Sequence, residues 1–333
     1  MPNSKKKPSF FIPLLLIFLI AIVSGLVIFI SLLQAVDSSD QSTVTFLIPR
    51  NQSTQRIAER LKEEGLIRSV LAFRCVVYQK GLQSKIQAGS FKLSPSLSIN
   101  ELTQILSRGT DDLWITLPEG WRREEIAASL AKQELVNFDE QEFLTLTNGL
   151  EGQLFPDTHL LPKSITTQSI VNILLDTFEK KVLLNLGDDL AKSKLDLKQI
   201  LTLASLVQRE GVLDDEGYND MPLVAAVLFN RLEIGMPLQV DASLQYIKGY
   251  SVTEQTWWAN PTPEDRKLDS VFNTYQNLGL PPSPICSPSQ KAIEAVLHPQ
   301  TTSALYYIHD LSNKIHTAET IEGHNANVNQ YLR

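Results

Sequence analysis

Hydrophobic and polar positions follow three different rhythms along the chain. Residues 10–33 are almost wholly apolar, a run of 24 residues without a charge. As a helix it would extend about 36 Å at 1.5 Å per residue, enough to cross a hydrocarbon core of about 30 Å. From residue 43 to 109 the pattern changes to short β-rich runs and apolar positions at helical spacing. A strand is predicted over 44–49, then a helix through Ile57, Ala58 and Leu61, a second strand over 88–93, and a helix over 98–109. Ser98 and Glu101 stand at capping-box spacing before that last helix. The stretch reads as a compact βααβ-like unit. Small units of this type outside the membrane often grip carbohydrate, and a plain structural spacer fits the same pattern. From residue 195 onward longer amphipathic helices dominate. Asp196 opens one through Ile200, Leu203, Ala204, Leu206 and Val207, ended by Gly211. Asp220 and Pro222 open a second that runs to Gly235, and Ser287 and Pro288 open a third that ends before Pro299. Residues 239–246 and 305–309 are predicted strands. The fold class is α+β, with no βαβ alternation or Gly-rich phosphate loop to suggest a nucleotide fold.

The chain also aligns with itself at an offset of 69 residues. Pro49, Ile57 and Leu61 fall on Pro118, Ile126 and Leu130, and the second strand is predicted over 114–118. Each copy reads strand, turn, amphipathic helix. Two related units explain this, as does chance, because such strand–helix pairs are common.

Charge gives the apolar leader a direction. Its only charges are Lys5, Lys6 and Lys7, before the run, and no basic residue follows until Arg50. The positive-inside rule places residues 1–9 in the cytoplasm and the body outside. Pro13 sits near the start of the run, and Ser24 with Gly25 is tolerable in lipid. A cleaved signal peptide is the rival reading, with Ala35 near the cut. Its apolar region is usually about 7–15 residues, so the length favours a retained anchor in the cytoplasmic (inner) membrane. Residues 34–42 then form a polar linker.

Composition narrows the rest. The 333 residues are 43% hydrophobic and 20% charged, with a net charge of -7. Without the three leader lysines the remainder stands at -10, so a nucleic-acid partner is disfavoured. Cys75 and Cys286 can form one disulfide or remain two free thiols. His159, His298, His309, His316 and His324 make no metal-ligand pattern, and neither a metal nor a cofactor is expected.

Glu210 is the most informative acid. Its helical position shares a stripe with Val207, Leu206 and Leu203, and it falls in a last turn where carbonyl ends disfavour negative charge. Both effects raise a carboxyl pKa, as a general acid requires. The competing reading is a glutamate turned to solvent beside Arg209. Downstream, polar residues gather in apolar surroundings: Asn230 and Arg231 late in a helix; Gln239, Asp241 and Gln245 along one face of the predicted strand; Asn273, Thr274 and Tyr275 before a turn; and His316, Glu322, His324 and Asn325 near the end. Amide, hydroxyl and imidazole groups orient sugar hydroxyls and acetamido groups; capping and turn roles are the plainer alternative. Trp257 and Trp258 can stack on sugars or simply pack. Asp214, Asp215, Glu216 and Asp220 read as a solvated loop, with Asp220 as a helix cap and calcium as a weak second reading.

At these residues specific strings recur in order. They are Glu-Gly-Gln-Leu-Phe-Pro-Asp-Thr-His at 151–159, Ala-Ser-Leu-Val-Gln-Arg-Glu at 204–210, and Phe-Asn-Arg-Leu-Glu-Ile-Gly-Met-Pro-Leu-Gln-Val-Asp at 229–241. Asn-Thr-Tyr at 273–275, Gly-Leu-Pro-Pro-Ser-Pro-Ile at 279–285 and Gly-His-Asn-Ala-Asn-Val at 323–328 follow. The series closely resembles the YceG-like (MltG) family of endolytic murein transglycosylases, over essentially the whole chain after the linker. The departures are Gln208 at a position acidic in many members, His159 for the usual tyrosine, Val240 and Ala242 around Asp241, and a looser match near His316 and Thr317.

The resemblance implies a single-pass inner-membrane enzyme with a LysM-like subdomain at 43–109 and a catalytic domain at 110–333. It further implies cleavage of nascent peptidoglycan strands between N-acetylmuramic acid and N-acetylglucosamine, beside membrane-embedded glycan polymerases, with Glu210 as catalytic acid. Asn230, Gln239, Asp241, Gln245, Asn273, Tyr275, His324 and Asn325 are the expected substrate-binding residues. Two other readings stand beside it: a hydrolytic muramidase using Glu210 with Asp241, and a glycan-binding scaffold without catalysis.

Overall fold

The computed structural model describes residues 11–49, 51–110, 112–214 and 216–333, with side chains from residue 18 onward. It is α+β and divides into two compact units, one ending at Trp114 and the other spanning Ile115–Arg333.

The first unit begins with α1 (Phe11–Leu33), whose last turn is not free: Phe29, Leu32 and Leu33 pack against the unit's core. Part of the predicted 10–33 span, namely residue 10 and the side chains of 11–17, lies outside the described residues. Among the described residues no helix is long and apolar enough to cross a membrane. The expected linker is tied down rather than loose. The Arg68 guanidinium donates to the carbonyls of Ala35 and Val36, both at 3.1 Å, and the Asp37 N–H donates to Pro95.

After it come β1 (Val44–Ile48), α2 (Thr54–Glu63), α3 (Val70–Gln79), β2 (Gly89–Leu93) and α4 (Ile99–Arg108). The strands pair antiparallel, Val44 opposite Leu93 and Ile48 opposite Gly89. Their period-two alternation turns Phe46, Ile48, Phe91 and Leu93 inward onto Ile57, Leu61, Phe73, Leu102 and Leu106. Serines start all three helices: Ser53, Ser69 and Ser98 each accept a first-turn N–H, and Ser98 completes a capping box with Glu101. Gly65, at φ +70°, ends α2 in the left-handed region while the Leu66 N–H reaches back to the Leu61 carbonyl.

In the second unit, β3 (Asp112–Thr116, which begins before the division) pairs with β4 (Thr158–Pro162), and α5 (Arg123–Ala131) and α6 (Glu140–Leu146) lie between them in sequence. The two self-similar segments therefore both form strand–turn–helix, with Ile57, Ala58 and Leu61 buried in one and Ile126, Ala127 and Leu130 in the other. Their strands take different partners. α7 (Thr167–Phe178) runs into a π-helical segment, Glu179–Leu184, and is followed by α8 (Gly187–Lys192). The centre of the unit is α9 (Leu197–Glu210), opened by an Asp196–Gln199 capping box. Every side chain from Ile200 to Val207 is buried, because α10 (Met221–Glu233) and α12 (Gln290–Leu297) pack on it. Gly211 lets α10 approach: a Cβ there would lie 2.6 Å from the Met221 side chain.

The stretch predicted as a strand over 239–246 is corrected. Gln239 turns at φ +52°, and α11 (Asp241–Lys248) is a helix. Spacing of Asp241 and Gln245 satisfies a period of two and equally a helical i,i+4 face. The Thr274 hydroxyl accepts the Val240 N–H at 2.9 Å and holds the entry turn. α12 starts later than expected, capped by Ser289 rather than opened at Ser287. The chain ends with an antiparallel hairpin, β5 (Tyr306–His309) and β6 (Ile315–Ala318), followed by α13 (Ile321–Tyr331).

Cys75 is exposed, Cys286 buried, and both are free thiols. Asp220 does occupy the position before α10, but its carboxylate turns to the Val212 N–H, the Tyr218 hydroxyl and His309 instead of capping the helix.

Candidate active site

α9 delivers Glu210 as its last residue, half-buried at the floor of a cleft of about 550 Å³. The helix is held at that end from both sides. Gln208 accepts the Ser289 N–H at 2.8 Å, which anchors the start of α12. Arg209 points to the Trp258 ring, 3.9 Å from its centre, so the solvent-facing pair of Glu210 with Arg209 does not form.

The Glu210 carboxyl accepts a hydrogen bond from the Tyr307 hydroxyl at 2.8 Å, across 97 residues of sequence. Burial raises its pKa, and the nearby charge of Asp241 raises it further. The Tyr307 hydroxyl, the Ala242 backbone N–H in the first turn of α11, and His309 oppose the shift by favouring the ionised form. The balance is upward, as a proton donor needs. Tyr307 itself stays a phenol: burial first, then the charge of Glu210, push its pKa up.

Asp241 opens α11 on the same cleft, where its carboxylate accepts from the Tyr275 hydroxyl at 2.6 Å. The phenol's pKa is correspondingly raised, by burial and by that bond. The Tyr306 and His324 rings, which also line the cleft, meet at 5.4 Å and 35° and form an aromatic surface. Arg231 lies beneath it, buried, donating to the carbonyls of Leu305 at 2.6 Å and Leu238 at 2.5 Å. Burial pulls its pKa down.

Of the residues expected to bind substrate, Gln239, Asp241, Tyr275 and His324 line this cleft with Glu210. The others are placed elsewhere. Asn230 donates to the carbonyls of Thr302 and Ala304, both at 2.9 Å, and so fixes the approach to β5. Gln245 donates to Trp258 at 3.0 Å. Asn273 is fully buried and holds the carbonyls of Arg266 and Leu268. Asn325 is exposed on α13, away from the cleft lining. His316 stacks on Tyr331 at 3.6 Å and bonds Asp310. Trp258 packs under Arg209 and donates to Glu125, while Trp257 lies near Arg122 and Tyr250.

The sequence reading missed Tyr306, Tyr307 and Arg266. Tyr307 carried no local sign, since only the return of the final hairpin to α9 makes it a partner of Glu210. Among the described residues no His, Cys, Asp and Glu form a group of three or more fit to hold a metal. In the acidic loop Asp214 accepts the N–H groups of Glu216 and Tyr218, and Asp215 lies outside the described residues.

The arrangement offers one poised carboxyl group, a second acid held by a phenol, and aromatic and amide groups around an open polar trough. That is the equipment for gripping a sugar chain and protonating a bridging oxygen.

Known proteins share both sequence and fold. A Streptococcus pneumoniae protein named endolytic murein transglycosylase is 30% identical over 337 residues, covering 89% of this chain and 60% of that relative. This chain thus spans about 60% of the length of the pneumococcal protein. A Bacillus subtilis protein of the same name is 29% identical over 330 residues, 91% of this chain and 88% of the relative. The crystal structure of a yceG-like protein from Listeria monocytogenes has the same fold, with a TM-score of 0.55 at 23% identity over 86% of this chain and 99% of that one. The profile of the YceG-like family matches residues 46–330, taking in both units and the whole cleft, and the chain belongs to that family.

Proposed function

We propose that this protein is a membrane-anchored endolytic peptidoglycan lytic transglycosylase. The observation that carries the reading is Glu210: a half-buried carboxyl with a raised pKa, aimed into a polar cleft and oriented by the Tyr307 hydroxyl. The names of the pneumococcal and Bacillus relatives point to the same reaction.

Glu210 in its acid form protonates the oxygen bridging N-acetylmuramic acid and N-acetylglucosamine, while positive charge develops at the muramoyl C1. The resulting carboxylate then takes the proton of the muramoyl C6 hydroxyl, and that oxygen closes onto C1 as a 1,6-anhydro ring. One carboxyl group serves as acid and then base, and no water attacks, so the second carboxylate of ordinary glycosidases is not required. Asp241, on the same cleft, is the second acid placed to face the cationic centre.

The apolar run at 10–33 behind three lysines supports anchoring in the cytoplasmic membrane, N-terminus inside and catalytic unit outside. The βααβ order of β1 through β2 supports a LysM-like glycan-gripping role for residues 43–109, ahead of a catalytic domain at 110–333. Glycan polymerases of the membrane are the natural suppliers of nascent strands.

Digestion of uncrosslinked peptidoglycan by the full-length protein in detergent, with mass analysis of products, tests the reading. Anhydro-muramoyl ends within strands are expected. Reducing muramoyl ends would instead make it a hydrolase using Asp241, and binding without products would make it a scaffold.

A further inference from the structure

The cleft holds a cation that the acid chemistry above does not use. Arg266 lines it from the short 3-10 turn Pro263–Lys267, its guanidinium 5.1 Å from the centre of the Tyr275 ring. Among the described residues it makes no ion pair. Its neighbours are committed: Lys248 pairs with Asp265 at 2.8 Å, and Arg231 spends its donors on backbone carbonyls.

The turn that presents Arg266 is unusually well braced. Asn273 donates to the Arg266 carbonyl at 3.1 Å and to the Leu268 carbonyl at 2.8 Å, and Gln276 donates to the Arg266 carbonyl at 3.0 Å. The Asp265 carboxylate accepts the Thr262 N–H at 2.7 Å and the Lys248 ammonium. The Tyr275 ring under the guanidinium is itself held by Asp241. An exposed arginine normally loses much of its binding contribution to the entropy of ordering it, and a braced backbone with an aromatic support reduces that cost. The Asn273–Thr274–Tyr275 string thus orders three parts of the cleft at once: Asn273 braces the Arg266 turn, Thr274 holds the entry to α11, and Tyr275 links Arg266 to Asp241.

A glycan backbone of N-acetyl sugars is neutral and gives a guanidinium nothing to pair with. The muramoyl residue differs because its lactyl ether, free or extended by a stem peptide, carries carboxylates. We propose that Arg266 is a specificity-determining residue that pairs with a carboxylate on the muramoyl substituent and so selects strands bearing it. The proposal rests on the cleft being a peptidoglycan site and names the part of the substrate that the cation reads. Arg266 donates through a fork suited to carboxylates, which lysine does not offer.

The test measures binding to the full-length Glu210→Gln protein in detergent, which removes turnover, with and without Arg266→Gln. Three uncrosslinked glycans are compared: strands with native stems, the same strands with stem carboxylates converted to amides, and strands stripped of stems, whose lactyl carboxylates are free. The readout is the ratio of affinities for the native and amidated strands. A ratio of about tenfold with Arg266, falling to about one in Arg266→Gln, is expected for a charge-assisted pair. If instead the stripped strands lose affinity with Arg266→Gln and amidation has no effect, the lactyl carboxylate is the group read. Unchanged discrimination on both comparisons, or equal weakening toward all three glycans, overturns the proposal. Failure of the wild-type protein to make anhydro ends would count against transglycosylation alone, since the binding ratio needs no turnover.

Discussion

The two units bury different kinds of residue. In the unit ending at Trp114 the buried polar side chains, among the described residues, are Ser94 and Thr103, around a core of Phe46, Phe73, Phe91 and aliphatic neighbours. The second unit buries Arg122, Glu151, Asp220, Arg231 and Asn273 within its larger core. Buried charge and amide cost stability unless every donor and acceptor is matched. Arg231 and Asn273 are matched to backbone carbonyls; Arg231 lines the Glu210 cleft, and Asn273 braces the turn that carries Arg266. Glu151, which accepts the Arg123 N–H, is pushed by burial up to about 8. The first unit is thus built for packing. The second accepts polar burial in order to hold a site.

Substitutions that separate these two economies should have graded effects. Largest is Glu210→Gln, expected to reduce strand cleavage by about 10³-fold without lowering the melting temperature, because a general acid commonly supplies about 10²–10⁴ in rate. Product analysis beside a thermal melt checks both halves; retained cleavage would remove Glu210 from the centre of the site. Next, Phe73→Ala should destabilise the first unit by about 3–5 kcal/mol, the usual cost of emptying a buried phenylalanine site. Hydrogen exchange should then report lost protection in α2 to α4. A much smaller loss would mean that this core tolerates cavities.

Tyr307→Phe is expected to cost about tenfold in rate, one hydrogen bond to an ionisable group. It also carries a sign. The phenol donates to the carboxylate and favours ionised Glu210, so its removal raises the carboxyl pKa. The acid form then persists to higher pH, and the alkaline limb of the pH–rate profile should move upward. A downward move would contradict the hydrogen bond as described. Smallest is Ser98→Ala, which dismantles the capping box of α4 and should cost about 1 kcal/mol in denaturant unfolding, leaving the cleft untouched.

The same contrast governs how much could be read in advance. In the first unit β1, α2, β2, α4 and the Ser98–Glu101 box were legible because each signal lies within a few residues of what it controls, whereas α3 was not picked out. In the second unit Asp196 and Gly211 bracketed α9 just as well, and Glu210 stood out from helical phase alone. Residues 239–246 misled because a polar alternation fits a strand and one helical face equally. The deciding turn at Gln239 depends on Thr274, 35 residues away. Asn230, Gln245 and Asn273 matched the chemistry of sugar binding yet serve as braces, since an amide suits a backbone carbonyl as well as a hydroxyl.

What the amino-acid sequence determined by itself was local: the strands and helices of strongest period, the caps at Ser98 and Asp196, and that the helix carrying Glu210 ends against apolar neighbours. Tertiary structure alone decided the company that Glu210 keeps. Tyr307 comes from a hairpin 97 residues onward, Asp241 from a helix mistaken for a strand, and Arg266 from a turn braced by Asn273. Periodicity and capping energies act over one or two turns of chain. A carboxyl pKa, by contrast, responds to whatever charges, dipoles and solvent lie within a few ångströms in space, and the fold chooses those neighbours.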